Sequence, residues 1–129
     1  MSHDNNWNYF AYNLNITGSA IYIGLHNGTS TNVWEKKQID FTRDNGYIQI
    51  IWIQDDTKSK IYVNGVLAGE HEFSNVVWED KKVDYSYIGT FKSAYDQSWG
   101  GYFQGTMDEV RIYDKVLNNT ELTAMFALK

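Results

Sequence analysis

The chain contains no cysteine and no proline. The first absence excludes disulfides and thiolate metal sites. The second leaves the turns to Gly, Asn and Asp, which tolerate tight or left-handed backbone. Histidine is scarce: His3, His26 and His71 stand far apart, without metal-ligand spacing. No Ser-His-Asp grouping emerges. Gly100-Gly101 opens a strand pattern rather than a helix, so it is no phosphate loop. Basic residues are in the minority, 11 Lys and Arg against 16 Asp and Glu, for a net charge of −5. Lys36-Lys37 and Lys81-Lys82 are too short to form the basic stripe of a nucleic-acid binder. No apolar run approaches membrane-spanning length. The first six residues lack the basic and apolar regions of a signal peptide. We therefore expect no nucleic acid, no membrane insertion and no signal peptide in this chain, with use outside the cell or on a cell or virion surface, either without secretion through that route or as part of a larger secreted protein.

What is present suits one domain over residues 1–129, large enough to bury a core unaided. Aromatic residues reach 16 %, with 5 Trp, 10 Tyr and 6 Phe. Such residues suit pleated, half-buried surfaces, and they also stack on sugar rings. Short alternating segments separated by polar turns predict an antiparallel all-β chain. Strands are expected over residues 7–14, 20–26, 33–41, 47–54, 60–63, 66–73 and 84–91. Ile48, Ile50 and Trp52 oppose Ile51 and Ile53, which predicts a central strand covered on both faces. Asn64-Gly65 between two β-rich runs predicts a type I′ hairpin turn. In residues 103–113, Phe103, Gly105 and Met107 share one parity and Val110 and Ile112 the other. A single strand through both needs a β-bulge near Asp108-Glu109.

One helix is expected, in the tail. Asn118 suits the N-cap and Glu121 the N3 position of a capping box. Leu117 and Leu122 form a hydrophobic staple around it, and Leu122, Met125 and Phe126 share a helical face.

Several of these residues together resemble laminin-G-like jelly rolls. Lys60-Ile61-Tyr62-Val63-Asn64-Gly65-Val66-Leu67 resembles their hairpin, and Ile88-Gly89 the following strand end. Phe103-Gln104-Gly105-Thr106-Met107-Asp108-Glu109-Val110-Arg111-Ile112-Tyr113 is similar to their closing strand, and Leu117 with Glu121-Leu122 to their tail. The resemblance runs through the C-terminal part of the chain, and the N-terminal part matches in pattern only. It implies a concanavalin A-like β-sandwich of two antiparallel sheets with one short C-terminal helix. It also implies adhesion or glycan binding rather than catalysis. Such domains open with a further strand that is missing before residues 7–14. The open edge then needs cover, from residues 7–14 themselves or from a neighbouring chain in a homo-oligomer or larger assembly.

Some glucanases share this sandwich and hydrolyse through carboxylates on one strand, which in retaining enzymes lie about 5–5.5 Å apart. Glu70 and Glu72 flank His71 without an Asp between them, and Glu79-Asp80 and Asp108-Glu109 are adjacent pairs whose side chains diverge in a regular strand. Asp108-Glu109 is expected to brace the chain against Arg111 or nearby amides. No catalytic residue is expected. Calcium, which many relatives hold, has candidate clusters at Asp55-Asp56 and Asp96-Gln97, but solvated turns account for both and no metal site is assigned. The candidate binding surface is the segment bearing Tyr95, Asp96, Gln97, Trp99 and Tyr102, joined by Trp78. Aromatic faces beside amide and carboxylate groups suit a glycan or glycoprotein. The competing expectation is that Trp78 and Trp99 fold over the core. The alternative function is a structural one, a virion or surface-layer decoration domain packing on neighbouring subunits.

Overall fold

The computed structural model describes residues 10–17, 19–27, 34–42, 46–73, 88–92, 99–100 and 102–128. They fall into two compact units, Met1–Lys81 with Lys115–Lys129, and Lys82–Asp114.

The first unit holds two three-stranded antiparallel sheets and a helix. In the first sheet β1 (Phe10–Thr17), β2 (Ala20–Asn27) and β3 (Trp34–Asp40) lie in chain order. β1 ends three residues later than the expected 7–14, and residues 7–9 lie outside the described set. In the second sheet β4 (Ile50–Asp55), β5 (Lys58–Val63) and β6 (Val66–Glu72) also follow chain order. Inward faces of the two sheets meet in one core: Ile21, Ile23 and Ile39 from the first, Ile61 and Val63 from the second, and Phe73 just beyond β6. Each fully buried Ile contributes about 1.5–3 kcal/mol. This is the expected β-sandwich.

β4 shows how the alternating sequence uses both faces of a sheet. Ile50 and Trp52 pack on the sandwich core, while Ile51 and Ile53 face the opposite way. There they meet Leu117, Leu122, Met125 and Phe126 from the helix α1 (Asn119–Phe126) and its entry. The double cover matches expectation, but the lateral position does not. β5 is the middle strand, and β4 has one strand partner among the described residues. The apolar outward face is covered by the helix, which is why β4 reads as buried on both sides.

The β5–β6 turn is as expected. Asn64 and Gly65 both have positive φ, 49° and 82°, as a type I′ turn requires. Asn64 Oδ1 accepts from the Gln49 N–H and the Asn64 N–H donates to the Gln49 carbonyl, both at 2.9 Å. Gln49 Nε2 donates to the Met125 carbonyl at 2.9 Å, tying the last turn of α1 to the same corner. The register of β5 and β6 shifts between Ile61↔Gly69 and Tyr62↔Leu67, leaving Ala68 as the extra residue of a bulge.

α1 begins as expected: Asn118 is the N-cap, and its Oδ1 accepts from the Glu121 N–H at 2.9 Å. Leu117 and Leu122, the staple pair, are both buried.

The second unit contains a short hairpin, β7 (Phe91–Lys92) with β8 (Trp99–Gly100). Of the strand expected over 84–91, residues 88–90 are not extended into a ladder and Phe91 begins β7, while residues 84–87 lie outside the described set. Residues 102–114 form no strand, contrary to the expected closing strand with a bulge near Asp108-Glu109. Glu109 stands at φ 53° and breaks the extended run. Asp108 Oδ1 accepts from the Glu109 N–H at 2.8 Å, so local side-chain bonding takes the place of a ladder there.

Candidate functional site

Of the six residues expected to bind ligand, the structure describes two. Trp99 lies in β8 opposite Lys92, and Phe91 pairs with Gly100. This pairing joins the chain on either side of residues 93–98. Tyr102 follows β8 and is 67 % exposed. Tyr95, Asp96, Gln97 and Trp78 lie outside the described residues, as does the Asp96-Gln97 calcium candidate.

The carboxylates weighed for hydrolysis are held in local pairs. Glu109 forms an ion pair with Arg111 at 2.5 Å, and Asp108 accepts from the backbone as above. The bond to Glu109, with a smaller contribution from Tyr113, raises the Arg111 pKa further above its ordinary value. Glu70 is bridged to Lys58 at 3.3 Å. Glu72 accepts from the Thr57 hydroxyl at 3.5 Å. Glu79-Asp80 lies outside the described residues.

Asp55 ends β4 and Asp56 opens the β4–β5 turn, both exposed, with Asp56 at φ 48°. The Asp56 carbonyl accepts from Gln54 Nε2 at 3.0 Å. Among the described residues no three His, Asp or Glu side chains come together to hold a metal. None of their helices is long and apolar enough to cross a membrane.

A groove of about 240 Å³ opens on the outer face of the second sheet, beside the start of α1. Ile53, Leu117 and Leu122 form its buried apolar floor. Asp55, Lys58, Lys60, Tyr62 and Asn119 also line it. The Tyr62 ring is held against Phe126, centroids 5.4 Å apart and planes tilted by 42°.

The laminin G family model described as "Concanavalin A-like lectin/glucanases superfamily" matches residues 1–123. The chain belongs to the concanavalin A-like lectin/glucanases superfamily. The match reaches through the N-terminal part, where the resemblance had rested on pattern alone. A crystal structure of an S-layer domain-containing protein (residues 221-444) from Clostridium thermocellum ATCC 27405 is similar at 18 % identity and a TM-score of 0.48. The similarity covers 83 % of this chain and 51 % of the other, so this concanavalin A-like chain spans about half the length of that one. No match is found among curated proteins.

Sequence reading of this concanavalin A-like chain did not single out the groove. Its parts come from β4, β5 and the helix entry, more than 50 residues further along the chain. The available signal was the outward row Asp55, Lys58 and Lys60, which interrupts an otherwise apolar face.

Proposed function

We propose that this chain is a non-catalytic binding module that recognises carbohydrate, free or on a cell-surface receptor, through the rim segment 93–102. It acts outside the cell or on a cell or virion surface, as one domain. The observation that carries this reading is the match of residues 1–123 to a superfamily of lectins and glucanases. Within that choice, the local pairing of Glu70, Asp108 and Glu109 supports binding over hydrolysis. Tyr102 supports a role for the segment, since an aromatic ring this exposed is free to stack on a ligand. The test is a glycan array probed with the wild-type chain, then with Trp99→Ala and Tyr102→Ala. Binding to a defined glycan set that weakens by about tenfold in either variant is expected. Absence of binding, or binding indifferent to both changes, removes the rim from the reading.

A second reading, an assembly role on neighbouring subunits, draws on a different observation. Val110 and Ile112 are both exposed large apolar side chains, Ile112 by 84 %. Contiguous apolar surface in water marks contact sites. Sedimentation equilibrium decides it: self-association supports an assembly role through further copies, and a monomer at all concentrations removes that form of it.

A further inference from the structure

We propose that the groove beside the start of α1 is a second binding site, shaped for one neutral sugar ring. It is built wholly from residues of the first unit and shares none with segment 93–102. It therefore stands or falls independently of the rim.

Three features carry the assignment. The first is size. At about 240 Å³ the groove is smaller than the roughly 300–1,000 Å³ of sites enclosing a drug-sized molecule. One ring fits where an extended chain does not.

The second is the set of free polar groups. In register, Lys60 stands opposite Glu70, but Glu70 is taken diagonally by Lys58 at 3.3 Å. Among the described residues the Lys60 ammonium and the Asp55 carboxylate have no ion pair or hydrogen bond. The Asn119 amide is also uncommitted, because Asn118 provides the helix cap. The groove thus presents a cationic donor, an anionic acceptor and an amide that is both.

The third is their balance. The formal charges balance, Asp55 against Lys60 and Glu70 against Lys58. A polyol meets such a mixture, since each hydroxyl both donates and accepts. The floor of Ile53, Leu117 and Leu122 takes the C–H face of the ring, which is apolar. A pocket with an apolar base and a few convergent polar groups is the general form of a small-molecule site.

The experiment is a ¹H–¹⁵N NMR titration of the whole chain with the methyl glycosides of glucose, galactose and mannose. The expected result is fast-exchange shifts at residues 53–62 and 116–122 with at least one of them. The dissociation constant should be about 1 mM, in keeping with a single ring. Lys60→Met and Asp55→Asn should each weaken it by about tenfold. No shift with any of the three sugars, or shifts confined to residues 88–104, overturns the proposal. The wild-type titration decides by itself, so a poorly folded variant leaves the answer unchanged.

Discussion

A Cβ built on Gly69 would lie 2.9 Å from Cγ1 of Ile39 and 3.1 Å from its Cδ1 and Cγ2. The glycine is there because β6 approaches the first sheet closely at this point, next to the Ala68 bulge. Ile39 is itself buried in the core and has little room to withdraw. Gly69→Ala should therefore destabilise the fold by about 1–3 kcal/mol, the usual cost of overpacking. Chemical denaturation should show this as a lower midpoint at unchanged slope. Gly65 differs in kind. Its positive φ is demanded by the turn itself, and Asn-Gly between β-rich runs announces that demand locally. The Gly65 turn was legible in the sequence and the Gly69 contact was not, because the cause of the second lies in the opposite sheet. Ser59 is a similar case. It is fully buried, accepts from Trp52 Nε1–H at 3.2 Å and donates to Gln54 Oε1. Only the register Gln54↔Ser59 and Trp52↔Ile61 brings the three together.

At the scale of elements, α1 was the most legible, since its caps, staple and apolar face all lie within ten residues. Asn118→Ala removes the acceptor for the Glu121 N–H and should cost about 1 kcal/mol. The same corner gives α1 a pH dependence. The Lys115 ammonium, 2.9 Å from Glu121, holds the Glu121 carboxyl below its ordinary value against the opposing effect of desolvation, and the Asn118 backbone N–H adds a smaller lowering. A lowered carboxyl pKa means that the fold favours the charged form. The contribution is present above the ordinary value and is lost as pH falls through the lowered one. Carboxyl-carbon NMR should place the Glu121 titration below that of a free glutamate, and Lys115→Met should return it upward. An unmoved titration in that variant would separate the ion pair from the cap. The 102–114 segment is the opposite case. Its alternation predicted a strand, but alternation specifies a strand only if ladder partners accept it. In its place Asp108 and Glu109 bond to the adjacent N–H and to Arg111.

For the whole molecule, the two sheets of the first unit consume each other's apolar faces, which leaves loops and the outer surface as the exposed parts of that unit. The sandwich was legible from alternation and from the β5–β6 hairpin. The candidate site was legible only as a composition of aromatics, amides and acids in residues 93–102. The groove beside α1 was illegible, because it needs the helix laid on β4 and β5. Methyl–methyl nuclear Overhauser contacts test this architecture most directly. Cross-peaks joining Ile21, Ile23 and Ile39 to Ile61 and Val63 are predicted, together with a separate set joining Ile53 to Leu117 and Leu122. Finding Ile61 and Val63 in contact with the helix leucines, and none with Ile21, Ile23 or Ile39, would contradict it.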